Sequence, residues 1–165
     1  TSMSSGLQHD QSIMLWGLPF SLIMVLIFGL WPGLIGGIAF VIGGLWLSPD
    51  LDTNSKVLKR WGVFQIFWWP YQKSISHRSI LSHGPFIGTI IRLTYVSCWI
   101  LSIFILLKLF GTIDELEIRK LVIEKQFINQ TSLLVIFIGI EASAWLHLIK
   151  DGDPLPLEWK KWGKK

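Results

Sequence analysis

Residues 11–49 read QSIMLWGLPFSLIMVLIFGLWPGLIGGIAFVIGGLWLSP and contain no charged side chain. A transmembrane helix needs about 20 consecutive apolar residues, so this stretch is long enough for two. We expect spans over residues 13–30 and 34–47, separated by a turn at Trp31-Pro32-Gly33. The second span is rich in glycine, which allows neighbouring helices to approach closely in lipid.

The composition of the whole chain agrees with a membrane protein. Its 165 residues are 51% hydrophobic and 16% charged, whereas about a quarter of the residues in soluble domains are charged. Ten Trp and ten Phe suit lipid interfaces. Two further apolar runs predict spans over residues 86–109 and 132–149. The expected fold is therefore an all-α membrane protein, a single polytopic domain over residues 1–165 with about four transmembrane helices.

Polar segments separate these spans. The loop 53–84 contains WGVFQIFWWPY at residues 61–71, and such aromatic density predicts an interfacial helix on the membrane surface. Ser82, near the end of this loop, is expected to cap the third span. Residues 114–125 carry mixed charges and predict a short helix on the opposite side.

Four spans place both termini and the loop 53–84 on one side of the membrane. That side carries most of the basic residues, whereas those on the other side are diluted by four acids. The positive-inside rule predicts that the basic side is cytoplasmic. The basic residues on the predicted cytoplasmic side are Lys56, Lys59, Arg60, Lys73, Arg78, Lys150, Lys160, Lys161, Lys164 and Lys165.

Histidine and aspartate residues flank the spans at this same predicted face, although they are scattered over most of the chain. Imidazole and carboxylate groups together suit divalent transition metals. The candidates exceed the four ligands of one tetrahedral zinc, so one or two ions are expected, with zinc favoured. They lie in four groups: His9-Asp10, Asp50 with Asp52, His77 with His83, and His147 with Asp151.

Two charges lie inside the predicted spans. Arg92 is nine residues beyond His83, and Glu141 is ten residues before Asp151. A helix rises about 1.5 Å per residue, so both charges are expected about 14 Å from the metal face. Buried charges in lipid are usually paired, which predicts an ion pair between these side chains. The alternative is a role in the site as a deep ligand or substrate contact.

Four short motifs carry a family resemblance. They are SGLQHD at residues 5–10, PDLD at 49–52, HRSILSH at 77–83, and HLIKD at 147–151, which is followed by prolines. In this order the chain resembles the bacterial membrane-bound metal-dependent hydrolase family, which includes small LexA-regulated inner-membrane hydrolases. It looks most similar to the cyanobacterial metal-binding relatives of that family.

The resemblance implies a location, in a bacterial inner membrane or a thylakoid membrane, together with a set of metal ligands and an activity. The activity would be metal-dependent hydrolysis of a phosphoester or a lipid-derived ester. Arg78, beside a ligand histidine, would hold an anionic substrate through its guanidinium fork, or else anchor a headgroup or clamp a ligand carboxylate. The implied ligands are His9, Asp50, Asp52, His77, His83, His147 and Asp151.

A second hypothesis from another class stays open. The chain is then a non-catalytic subunit or assembly factor of a membrane complex, and its metal site is structural. A catalytic metal keeps an open coordination position, whereas a structural one is closed by protein ligands. A metal transporter is less favoured, because transporters place their ligands near mid-membrane. The expected partners are the bilayer and, under this hypothesis, other membrane subunits; no nucleic acid is expected.

Overall fold

The computed structural model describes residues 6–111 and 130–152, and every regular element in these two segments is helical. Two short elements are 3-10 helices, Pro49–Asp52 and Gly62–Trp68, and the others are α-helices. The α-helices are α1 (Gly6–Phe28), α2 (Leu30–Trp46), α3 (Lys56–Lys59), α4 (Trp69–Ser74), α5 (Ile80–His83), α6 (Ile87–Leu109) and α7 (Gln130–Lys150).

Four of these helices are long and apolar enough to cross a membrane. They are α1, α2 with the 3-10 turn that follows it, α6 and α7. The predicted fold class, an all-α protein with four such spans, is confirmed. Predicted features at residues 114–125 and in the tail after residue 152 lie outside the described residues.

The turn between the first two long helices differs from the predicted one. The chain breaks at Gly29, whose φ of 87° lies in the left-handed region that glycine adopts without strain. Trp31, Pro32 and Gly33 belong to the first turn of α2. Proline is tolerated there because the amides of a first helical turn have no intrahelical acceptor.

Helix α2 packs closely against both α1 and α7, and glycines permit this approach. A Cβ added to Gly37 would lie 2.4 Å from the Oγ and Cβ atoms of Ser21 in α1. One added to Gly139 of α7 would lie 2.4 Å from the carbonyl oxygen of Gly36 in α2. Small residues at such contacts let helix backbones meet in lipid. The result is a tight bundle of α1, α2 and α7, whereas only 6% of the span in α6 is buried.

The aromatic segment at residues 61–71 differs from the single helix that the sequence predicts. It forms a 3-10 helix that passes into α4. Pro70 stands in the first turn of α4, where it starts a new helix without losing a hydrogen bond. Trp68 and Tyr71 are buried against Leu51 and Leu58, in a small core beneath the loop. Large apolar side chains on the outer side, among them Phe64, are exposed.

A group of ion pairs ties the start of α1 to this loop. The Asp10 carboxylate accepts from the guanidinium of Arg60 and lies 2.7 Å from Nζ of Lys56. Arg60 also donates to the carbonyl oxygen of Leu45, 2.9 Å away. Asp10, which follows the predicted ligand His9 in the sequence, is therefore paired with two basic side chains.

Candidate metal centre

The structure brings together all seven side chains that the family resemblance implies as ligands. They come from α1, from the 3-10 helix Pro49–Asp52, from the loop before α5, from α5 itself and from the end of α7. Within each of three overlapping groups, one ligand atom per residue lies within 4.8 Å of the others. The groups are His9 with His147 and Asp151; Asp50 with His83 and His147; and Asp52 with His77 and His83.

The first group joins the beginning of α1 to the end of α7. Nε2 of His9 lies 2.8 Å from Oδ1 of Asp151, and the His9 ring stacks on His147 with 4.1 Å between ring centroids. Nε2 of His147 lies 3.4 Å from Oδ2 of the same aspartate. His147 lies in the last turn of α7, and Asp151 directly follows this helix with its amide donating to the carbonyl oxygen of His147 at 3.1 Å, so the two side chains project from the same side.

The second group centres on Asp50. Its Oδ1 atom lies 3.3 Å from Nε2 of His147 and 4.0 Å from Nε2 of His83. Both nitrogens are buried and make no hydrogen bond. Buried polar atoms are nearly always partnered, so two orphaned imidazole nitrogens facing one carboxylate fit a bound cation.

Two buried serines orient these nitrogens. The Ser48 hydroxyl lies 3.3 Å from Nδ1 of His147, and the Ser82 hydroxyl lies 2.9 Å from Nδ1 of His83. In metal sites the second ring nitrogen of a ligating histidine is usually hydrogen-bonded in this way, which fixes the ring. Each serine therefore leaves Nε2 as the nitrogen that faces Asp50.

The third group lies at the loop before α5. Nδ1 of His77 lies 3.0 Å from Oδ1 of Asp52, and Nδ1 of His83 lies 3.4 Å from Oδ2. The Asp52 side chain is fully buried and its Oδ2 makes no hydrogen bond. The His77 side chain is 43% exposed, so this group reaches solvent.

The protonation of two of these groups suits a cation site. Burial lowers the pKa of His83 to about 3, against the opposing attraction of Asp50, so the imidazole is neutral at neutral pH and its lone pair is available. For Asp151, burial raises the pKa, but the attraction of the nearby His147 and His9 imidazoles outweighs this effect. The pKa of Asp151 lies well below its usual range, and the carboxylate is ionised.

Sequence reasoning missed the two serines. The sequence predicts that Ser82 caps the third span, but Phe86 occupies the position before that helix. Ser79 caps α5 instead by accepting from the amide of Ser82, 3.3 Å away. Ser48 precedes the PDLD motif, but serine is also common at helix boundaries. The sequence therefore held no signal that separates a serine that orients a histidine from one that caps a helix.

Arg78 lies between His77 and Ser79 with a φ of 59°, in the left-handed region. Among the residues that the structure describes, none forms a hydrogen bond or an ion pair with its guanidinium. The sequence-based alternative in which Arg78 clamps a ligand carboxylate is therefore not observed.

The predicted ion pair between Arg92 and Glu141 is wrong. Both side chains are buried, but they form no ion pair with each other in the described part of the chain. Arg92 donates to the carbonyl oxygen of Ser82 and Glu141 accepts from the amide of Phe86. Long side chains on a helix point towards its N-terminus, so the Arg92 guanidinium meets the backbone before α6 rather than the neighbouring helix.

Comparison with known proteins agrees with a metal centre. The family described as "Uncharacterized metal-binding protein (DUF2227)" matches residues 4–162. A relative from Aquifex aeolicus (strain VF5), described as "Uncharacterized protein", is 41% identical over 61 residues, or 36% of this chain and 43% of the relative. No solved structure matches the chain. The family description supports the metal-binding part of the predicted resemblance and names no hydrolysis, no zinc and no cyanobacterial source. Since the family match covers nearly the whole sequence, the chain belongs to this family of metal-binding proteins.

Proposed function

We propose that this chain is a metal-dependent hydrolase of phosphoester or lipid-derived ester substrates at a membrane surface. The observation that carries the proposal is the pair of buried Nε2 atoms on His83 and His147, which have no hydrogen-bond partner and face Asp50. Imidazole and carboxylate ligands suit zinc, iron, manganese and nickel, of which we propose zinc, and the three groups offer places for one or two ions.

The residues of the centre divide by role. The buried histidines and aspartates would hold the cation, which when bound supplies Lewis-acid polarisation of a phosphoryl or carbonyl oxygen. Arg78 lies next to His77 at the exposed end of the centre, and its free guanidinium suits a phosphate or carboxylate of the substrate. The half-exposed His77 marks the side from which a substrate reaches the centre.

Loss of Arg78 tests the hydrolase proposal. We expect Arg78→Ala to lower kcat/KM for a phosphoester reporter about 10-fold to 100-fold, since a hydrogen bond to a charged group contributes about 1.5–3 kcal/mol. Metal content, measured by elemental analysis of the detergent-purified protein, should not change. Lys73→Ala, which removes an exposed charge from α4, is the matched control. Wild-type protein that holds its metal but hydrolyses no phosphoester or carboxylester reporter would overturn the proposal.

One observation favours the second candidate, a non-catalytic subunit with a structural metal site. Only 6% of the span in α6 is buried within the described part of this chain, so most of this helix is available to another membrane subunit. The reporter assay separates the candidates, because the subunit would retain metal and stability without any turnover.

We further propose that the metal centre faces the cytoplasm. The basic residues of the loop 53–84 support this orientation through the positive-inside rule. In a Cys98→Ala background, Asn54→Cys should react with a membrane-impermeant maleimide only after the cells are opened. Labelling of intact cells at this position would contradict the orientation.

A further inference from the structure

Arg92 and Glu141 both act on the short turn that joins α5 to α6. Their side chains are 1% and 5% exposed, and each forms a hydrogen bond with a backbone group of the turn rather than with the other. Ser82 stands on one side of the turn and Phe86 on the other, with His83 between them. A buried charge in a membrane span is costly, which calls for an explanation of why two are kept here.

The arginine fixes the chain directly before His83. Nη1 of Arg92 donates to the carbonyl oxygen of Ser82 at 2.7 Å, and Nη2 donates to Oγ1 of Thr89 at 2.9 Å. Gly88 makes room for this contact, since a Cβ there would lie 2.7 Å from the same carbonyl oxygen and 3.2 Å from Nη1. The Ser82 side chain meanwhile holds Nδ1 of His83 at 2.9 Å.

The glutamate fixes the chain after His83. Oε1 of Glu141 accepts from the amide of Phe86 at 2.8 Å. Phe86 has a φ of 60°, a left-handed conformation that costs energy for a residue with a side chain. A carboxylate at this point also lies at the positive end of α6, where the amides of the first turn lack acceptors.

We propose that Arg92 and Glu141 are positioning residues that set the His83 imidazole in the metal centre. The inference rests on the proposed metal site, because His83 belongs to two of its three groups. Glu141 also links the turn to α7, the helix that carries His147 and that Asp151 directly follows. Glu141 therefore couples the position of His83 to that of His147, whereas Arg92 holds the backbone directly before His83.

Cobalt titration of the detergent-purified, metal-depleted protein tests the proposal. Affinity is read from the titration and ligand geometry from the visible absorption of bound Co²⁺. We expect Glu141→Ala and Arg92→Met to weaken Co²⁺ binding about 10-fold to 100-fold and to alter the spectrum, as changes to residues that support ligands do. Glu141→Gln keeps a carbonyl acceptor for the Phe86 amide and should recover most of the affinity. Arg92→Lys keeps the charge but not the two-pronged contact, and should recover less.

Val135→Ala is the matched control, because Val135 is fully buried in α7 but is not a ligand and is not among the residues that hold the turn. It should lower the thermal unfolding temperature without changing the Co²⁺ spectrum. The proposal is overturned if the Glu141 and Arg92 variants likewise lose only thermal stability and keep wild-type affinity and spectrum. Failure of the wild-type protein to bind Co²⁺ would instead overturn the metal site itself.

Discussion

His83→Ala combined with His147→Ala is expected to abolish high-affinity metal binding. The two histidines together belong to all three ligand groups, and each presents an unpartnered Nε2 towards Asp50. Removing residues that merely support ligands costs about 10-fold to 100-fold in affinity, so loss of two ligands should cost more than about 100-fold. Elemental analysis and Zn²⁺ titration of the purified protein measure the change.

Single variants supply the control for this experiment. His77→Ala removes a ligand from the third group alone and leaves the other two complete, so most of the metal should remain. Lys73→Ala, outside every group, should bind as the wild type does. If the double variant retains its metal at unchanged affinity, the ion lies elsewhere in the chain and the seven residues are not its ligands.

Gly139→Val is expected to prevent the close packing of α7 on α2. Its first added carbon would lie 2.4 Å from the carbonyl oxygen of Gly36 and 2.9 Å from the amide nitrogen of Phe40. Overpacking of a core usually costs about 1–3 kcal/mol, and here the obstacle is backbone that no rotamer change can move, so the loss should reach or exceed the upper value. Thermal unfolding in detergent, followed by circular dichroism, measures it.

The same helix offers a matched control. Leu134 is 49% exposed, so Leu134→Phe adds volume where nothing obstructs it and should leave the unfolding temperature nearly unchanged. Gly139→Val should also weaken metal binding, because α7 carries His147 two turns further on. An unfolding temperature equal to that of the wild type would show that α2 and α7 do not approach as closely as described.

The four long apolar helices could be predicted because crossing lipid requires one simple feature, a sufficiently long run of apolar residues. Local breaks between spans follow finer rules. The turn was expected at Trp31–Gly33, where proline and glycine cluster, but Pro32 is compatible with a first helical turn. The chain needed a left-handed residue instead, and Gly29 supplied it.

The grouping of the ligand residues could also be anticipated, since the order of the spans assigns their ends to one face. The hydrogen-bond partners of Arg92 and Glu141 could not be anticipated from the sequence. Depth along a helix axis follows from counting residues, but the rotation of the helix and the direction of its side chains do not. Both charged side chains lie near the α5–α6 turn, where some backbone groups lack a partner within a helix. Arg92 and Glu141 form hydrogen bonds with two backbone groups there, and not with each other.

The ion pairs of Asp10 have a consequence for the charge balance of the centre. Lys56 and Arg60 neutralise the Asp10 carboxylate, so Asp10 adds no negative charge to the centre. The centre itself contains three carboxylates, on Asp50, Asp52 and Asp151. Counted against the formal charges of these three carboxylates alone, one divalent cation leaves an excess of one negative charge, whereas two leave an excess of one positive charge. An anionic substrate is repelled in the first state and attracted in the second. The number of ions bound would thus decide whether Arg78 has an anion to hold.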